Sequence, residues 1–407
     1  MCAVKSNLPE GNENIVTIKV FGVGGGGNNA VNRMAEVGIK GASLVAVNTD
    51  IPVLRRSKAD EIIAIGETTT KGRGAGANPE IGREAAEESA EYIKESLKDV
   101  DMLYITAGMG GGTGTGAAPV IARIAKEMGI LTVAVVTKPF AFEGPQRTAV
   151  AEDGIERLKQ FVDALIIVSN EKLREISKEP ITFKNAFAEA DSVLISSVKS
   201  ICELISTDTY VNLDFADVTT ILKNSGDAHI GIGTASGENK GAIAATQAIA
   251  SPLLDSSITE SEGIIVSIKA DEKVQLDEVY ATSDMITSQL PGAKVIWGID
   301  FDSSLEDTIQ VVIIATKTVA NAKKKFIADQ TGNDSENNGG QNNGGAGEET
   351  VPENETETGD TDNGGADEEK NDTADKNGKG GNTLPGWLFT DEEFAQIQTV
   401  VDQSKKK

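Results

Sequence analysis

Runs of four to nine apolar residues alternate with longer segments of helical period from about residue 15 to about residue 178. Ile15–Val23 (IVTIKVFGV), Ser43–Val47, Glu61–Ile65, Val100–Ile105, Ile130–Val136 and Ala164–Val168 read as buried strands. Between them, helical patterns end near Val37 and occupy Glu80–Leu97 and Ala117–Met128, with Pro79 at the first helical position of the second. This alternation predicts a doubly wound parallel sheet. Phe183–Ser206 then places apolar residues at 183, 187, 190, 194, 198, 201 and 205, a helix of unusual length expected to run through the middle of the molecule. Beyond it the texture changes. Strand patterns at His229–Ala235, Gly263–Ile268, Lys294–Ile299 and Ile309–Thr316, with helices at Lys240–Ile249 and Leu276–Gln289, predict a smaller α+β domain with a mixed sheet. The expected division is an arm over 1–14, a doubly wound domain over 15–178, the central helix over 179–207, a loop and helix over 208–223, and the α+β domain over 224–318. A linker over 319–382 and a tail over 383–407 follow.

Composition sharpens the two ends of this picture. The 407 residues carry a net charge of −25, which argues against nucleic acid as a partner. The stretch from Gln330 onward accounts for −12 of that, with 18 acidic and six basic residues. Gln330–Asn382 has no Leu, Ile, Met or aromatic residue and is expected to be a disordered linker. Apolar residues return at Leu384, Trp387, Leu388 and Phe389. Thr390 and Glu393 fit a capping box ahead of a stripe at Phe394, Ile397 and Val401, a short motif expected to fold on a partner. The two cysteines, Cys2 and Cys202, are far apart, and the N-terminus has no signal-peptide core, so a reducing cytoplasm is expected. No apolar run approaches the ~20 residues that span a bilayer.

The candidate chemistry lies in glycine. After the strand around Val100–Ile105, glycines stand at 108, 110, 111, 112, 114 and 116, with Thr113 and Thr115 among them, and a helix follows. Strand, glycine loop and helix N-terminus together form an anion cradle of backbone N–H groups. It is not a Walker loop, because Gly116 is followed by Ala117-Ala118-Pro119 and not by Lys-Ser/Thr. A second glycine loop, Gly24–Gly27 with Asn28, follows the first strand. Gly22, Gly24 and Gly27 alone would suit a dinucleotide fold, with Asp50 at the next strand end on a ribose. Two such loops on one sheet suit a triphosphate gripped from two sides. Lys71 and Arg73 sit in a third glycine-rich loop, Thr68–Pro79, as candidates to sense the terminal phosphate. Glu143 and Arg147 leave the carboxyl end of Ile130–Val136, the ligand side of an open α/β sheet, as candidates for ribose and phosphate.

Phe187 and Asp191 share a helix face one turn apart. A ring can stack on a base, and a carboxylate can accept from the N1–H and N2–H edge of guanine; the alternative is a core ring and a solvated acid. Asp214 can cap the helix Phe215–Lys223 with Asp217 at its third position, or the two can polarise a water beside a phosphate. From Asp191 to the end of its helix is about 22 Å at 1.5 Å per residue. If Asp191 reads the base, Asp214 serves a nucleotide on a neighbouring subunit, which requires head-to-tail contacts and an open filament.

The runs GVGGGGNNAVNRM, AVNTD, TKGRGAGANPE, AGMGGGTGTGAAPV, VAVVTKPFAFEG, EADSVL and NLDFADV, in this order, resemble the bacterial cell-division GTPases of the FtsZ family, within the tubulin/FtsZ superfamily. The resemblance covers about residues 15–318. It implies that Gly24, Gly25, Gly26, Gly27, Asn28, Gly110, Gly111, Gly112, Thr113, Gly114, Thr115, Gly116, Glu143, Arg147, Asn170, Phe187 and Asp191 bind GTP or GDP, with Asn170 and Asp191 facing guanine and Phe187 stacked on it. It implies that Asn212, Asp214 and Asp217 activate water on the next subunit's GTP, and that Mg2+ is held mainly by the phosphates, without a dedicated protein metal site. A head-to-tail homopolymer at the division site, on the inner face of the membrane, follows. The tail would bind cell-division and membrane-tethering proteins, although Leu384-Pro385-Gly386-Trp387-Leu388 departs from the family's usual Ile/Val-Pro-x-Phe-Leu-Arg.

Overall fold

A computed structural model describes residues 16–173, 182–205, 210–254, 261–290 and 292–317. The arm, the acidic linker, the tail and Lys323–Lys325 lie outside the described residues. Among the described residues, ten strands form one hydrogen-bonded sheet: β1 Ile18–Val23, β2 Ser43–Asn48, β3 Glu61–Ala64, β4 Met102–Gly108, β5 Leu131–Lys138, β6 Ala164–Ser169, β7 Gly226–Ser236, β8 Gly263–Ala270, β9 Lys294–Phe301 and β10 Thr308–Thr316, in the order β3-β2-β1-β4-β5-β6-β7-β10-β8-β9. Strands β1 to β7 run parallel, β10 runs antiparallel between β7 and β8, and β9 pairs parallel with β8.

The strand patterns read from sequence are thus present, and the second half carries the expected mixed sheet. It is joined to the first through three residue pairs, Ala164–Gly226, Leu165–Asp227 and Ile166–Ala228. Sequence order reverses between β1 and β4, so the crevice beyond their carboxyl ends is the topological switch point, where open α/β sheets take ligands.

Helices cover both faces: α1 Gly24–Val37, the short turns α2 Ile51–Leu54 and α3 Glu67–Thr70, α4 Pro79–Glu88, α5 Ala90–Ser96, α6 Thr113–Glu127, α7 Pro145–Lys159, α8 Phe183–Ile205, α9 Phe215–Leu222, α10 Lys240–Ile249 and α11 Leu276–Gln289. Alternate residues of the strands feed opposite cores. Ile18 and Val20 of β1 pack with α1 and α8, while Phe21 and Val23 pack with α4 to α7. The expected helix over Glu80–Leu97 is broken at Ser89, whose hydroxyl accepts the Gly66 N–H at 3.0 Å. That tertiary bond outweighs local helical propensity.

Helix α8 is the central element. Leu194, Val198, Ile201, Cys202 and Ile205 are buried in a core shared with β5, β6, β8 and β10, so one helix spans both halves of the sheet. Each large apolar side chain it buries contributes about 2 kcal/mol. The Cys202 thiol is reduced and wholly enclosed, and burial pushes its pKa far above the usual thiol value. Near the helix end, Glu203 makes a buried ion pair with Lys269 of β8.

Candidate functional site

The two glycine loops are not loops alone. Gly24–Gly27 forms the first turn of α1, and Thr113 to Gly116 the first turn of α6. Neither helix has a side-chain cap on its first N–H groups, so both N-termini present unfilled donors at the switch point. The loops press on each other: a Cβ on Gly24, whose φ is +72°, would lie 2.7 Å from the Gly114 nitrogen. Gly25 and Gly111 differ, since a Cβ on either meets nothing within 4 Å. Those two positions line the open side of the cradle. Uncapped helix N-termini that carry partial positive charge and converge across such a space bind an anionic group.

The polar residues of the loops brace this geometry. Asn28 is buried, and its amide nitrogen donates to Gly22 O at 2.6 Å and Val47 O at 3.3 Å, while its oxygen accepts from Asn48 Nδ2 at 2.8 Å. Thr113 shares a 2.7 Å hydrogen bond with Thr49, and the Thr115 hydroxyl accepts the Gly110 N–H at 2.9 Å. These side chains tie the ends of β1, β2 and β4 together rather than projecting into the cradle. Asp50, the acid a dinucleotide fold would place on ribose, instead caps α2 by accepting the Val53 N–H at 3.1 Å. Gly110 lies against Arg147, where a Cβ on the glycine would stand 2.7 Å from the arginine's carbonyl oxygen, and this close approach sets the start of α7 beside the cradle.

A second cluster lies at the carboxyl ends of β5 and β6. The turn Ala141–Glu143 is held by Glu143, which accepts the Phe140 N–H at 2.9 Å and pairs with Arg147 at 3.2 Å. Phe140 is buried, Phe142 stacks on it with centroids 5.2 Å apart, and Phe187 of α8 meets it edge-on at 5.6 Å. Phe187 is 44% exposed, so it is not a core ring. Asn170 is buried at the end of β6, and its Oδ1 has no hydrogen-bond partner. A buried acceptor left open in this way is a place for a ligand donor. Asp191, also buried, pairs with Arg33 of α1 at 3.0 Å. Burial pushes its carboxyl up to about 6, and Arg33 pulls it back toward the ionised form. Helix α1 therefore carries the anion cradle at its start and, about 14 Å further along, the arginine that faces Asp191. Arg33 was missed from sequence; its place on α1, in the run NAVNRM, was the available signal.

The structure does not bring Asn212, Asp214 and Asp217 to the cradle. Asp214 caps α9, accepting the Ala216 N–H at 2.9 Å, with Asp217 at the third helical position. Helix α9 lies at the amino ends of the strands: Asn224, just past it, donates to Asp163, just before β6, at 3.2 Å, and Asp217 pairs with Lys294, the first residue of β9, at 3.1 Å, whereas Asn212 follows Val211, which bridges Ile299 further along β9. A seven-residue strand such as β4 separates the two edges by about 23 Å. All three residues are exposed. Among the described residues no cluster of three His, Cys, Asp or Glu could hold a metal ion, and no helix is long and apolar enough to cross a membrane.

Residues 17–178 match the tubulin/FtsZ family GTPase domain, and residues 226–318 the FtsZ family C-terminal domain. Among solved structures, an empty FtsZ dimer from M. jannaschii is 48% identical, covering 74% of this chain and 88% of that one, with a TM-score of 0.71. A mutant FtsZ from M. jannaschii is 46% identical over 76% and 93% of the two chains, with a TM-score of 0.72. CetZ2 from Haloferax volcanii, a GTPγS-bound protofilament, shares the fold at 18% identity over 78% and 100%, with a TM-score of 0.63.

Proposed function

The chain belongs to the FtsZ family, and on that footing we propose how its residues divide the work of a GTP-dependent, filament-forming GTPase of cell division. The family membership carries guanine-nucleotide binding, GTP hydrolysis and self-association. In our reading the phosphates lie between the first turns of α1 and α6, held by the backbone of Gly24–Gly27 and Gly110–Gly116, with the open sides of Gly25 and Gly111 turned toward them. Asn28, Thr113 and Thr115 act by holding those turns in place. Asp191 accepts from N1–H and the 2-amino group of guanine, the open Oδ1 of Asn170 accepts a further donor, and Phe187 covers the ring face. Glu143 accepts from the ribose, with Arg147 between ribose and phosphate. A magnesium ion fits this scheme on phosphate oxygens, where it would neutralise charge.

The observation that carries the proposal is the separation of the two halves of the site. The cradle lies at the carboxyl edge of the sheet and the acids Asp214 and Asp217 at the amino edge, with Asn212 just ahead of them in the chain. Stacking subunits head to tail brings one subunit's acids onto the next subunit's nucleotide, where they polarise the attacking water. The domain limits drawn from the sequence belong to the same proposal. So do docking of division and membrane-tethering proteins on the tail, and action at the division site.

The test is GTP hydrolysis per subunit against protein concentration, for the native chain and for Asp214→Asn, which keeps the helix cap. A rate negligible when dilute, rising above a threshold and lost in the variant while GTP binding persists, is the expected result. A specific activity constant at every dilution would mean that one subunit holds a whole site, and the proposal would fail.

A further inference from the structure

The two glycine turns carry no cations of their own. Neither glycine turn, over residues 22–29 or 108–116, contains Lys, Arg or His. The cations at this edge stand around the turns and not in them: Arg147 lies against Gly110, and Lys71 and Arg73 belong to the loop whose Ala75 and Asn78 approach Gly112. At the opposite edge the acids are accompanied by a cation. Lys294 Nζ lies 3.1 Å from Asp217 Oδ1, and the two side chains are 50% and 53% exposed.

Both partners stand on rigid elements. The Lys294 N–H donates to Glu262 O at 2.7 Å, and the residue pairs in register with Gly263 of β8. Asp217 is in the first turn of α9, its N–H bonded to Asp214 O at 3.0 Å. Helix α9 is anchored in turn where the Thr316 hydroxyl meets Ile221 O at 3.4 Å. An exposed pair of this kind contributes at most about 1 kcal/mol to folding. Stability gives little reason for a lysine at this position, while its placement beside the acids gives a strong one.

We propose that Lys294 is a catalytic cation supplied in trans: on assembly its ammonium group reaches the γ-phosphate oxygens of the neighbouring subunit's GTP, alongside Asp217. The proposal rests on the reading of Asp214 and Asp217 as acids that serve the next subunit. In the step, a water oxygen bonds to the γ-phosphorus and the bond from that phosphorus to the β–γ bridging oxygen breaks. The electron pair of the broken bond leaves with GDP. The water's proton passes to a carboxylate of Asp214 or Asp217 and on to the released phosphate. Lys294 stays protonated throughout and stabilises the charge that spreads over the phosphoryl oxygens, the part played elsewhere by fixed cations in phosphoryl transfer.

The test compares the native chain with Lys294→Met and Lys294→Arg. It reads GTP affinity, polymer mass by sedimentation with a slowly hydrolysed GTP analogue, and hydrolysis per subunit at the concentration plateau. Lys294→Met should bind GTP and assemble as the native chain does, yet hydrolyse about 10-fold or more slowly. Lys294→Arg should keep most of the native rate. Lys294→Met should also slow the residual rate of Asp217→Asn; if it does not, Lys294 works only by orienting Asp217 and the proposal is overturned. A native plateau rate in Lys294→Met overturns it as well. If the native chain keeps its concentration threshold in that case, only the role of Lys294 has failed; if the threshold is absent, the trans reading itself has failed.

Discussion

Asp191 should make guanine binding depend on pH in a range where ordinary aspartates do not titrate. Burial lifts its carboxyl from 3.8 to about 6, against the pull of Arg33. Only the carboxylate can accept both guanine donors, so the binding-competent fraction is about nine-tenths at pH 7 and one-tenth at pH 5. The apparent Kd for GTP should rise about tenfold between those values. The same shift bears on stability. The folded value lies above the unfolded one, so the stabilisation it gives is complete below pH 3.8 and is lost as pH rises through about 6. At pH 7 the nucleotide-free protein therefore bears a cost of up to about 3 kcal/mol. Asp191→Asn removes that cost, which is already net of the attraction to the half-exposed Arg33. The apo variant should be more stable by up to about 3 kcal/mol and yet bind GTP poorly, because its amide sets a donor against a guanine donor. Titration calorimetry from pH 5 to 8 on both proteins, with thermal unfolding of each apo form, checks this. Phosphate protonation is common to both and cancels in the ratio. A ratio of affinities that stays flat from pH 5 to 8, or an apo variant less stable than the native chain at pH 7, would refute the reasoning.

Three further outcomes follow from the packing, and a fourth from the buried ion pair. Gly111→Ala places its methyl in open space, so thermal unfolding without nucleotide should move by no more than about 0.5 kcal/mol while GTP affinity, measured by fluorescence, falls. Gly27→Ala puts a Cβ 2.3 Å from the Thr106 carbonyl oxygen and should fail to give stable protein in the same unfolding assay. Asp214→Ala loses the cap of α9 and should cost about 1 kcal/mol in denaturant unfolding, whereas Asp214→Asn should not. Glu203→Gln leaves Lys269 charged and buried without its counterion, and the urea midpoint should drop by the equivalent of about 3 kcal/mol.

Local rules made much of this molecule legible. Helices over Lys240–Ile249 and Leu276–Gln289 have the ends their apolar periods and flanking residues indicate, and Asp214 caps as its place before an apolar turn implies. What escaped depends on contacts between distant segments. Ser89 interrupts a good helical pattern because it serves Gly66, 23 residues away. The glycine turns belong to their helices because the strands they leave are pressed together at the switch point, which no local period records. Asn28, Thr113 and Thr115 were legible as polar residues of a phosphate loop, but their side chains meet Asn48, Thr49 and Gly110 rather than the open cradle. Arg33 and Lys294 look like ordinary surface cations until the fold sets them beside Asp191 and Asp217.

The placement of the cradle and the acids on opposite edges of one sheet has an arithmetic of its own. If the acids serve the next subunit's nucleotide as proposed, a row of n subunits has n nucleotides but only n − 1 junctions, so one terminal nucleotide faces no acids and, at the far end, one set of acids faces no nucleotide. On that proposal a pair of subunits turns over only half its nucleotide, and the yield per subunit climbs toward its limit as the row lengthens. The unpaired nucleotide always sits at the same terminus, so the two tips of the row differ chemically. The direction of the row is thus written into each subunit by the direction of its parallel strands.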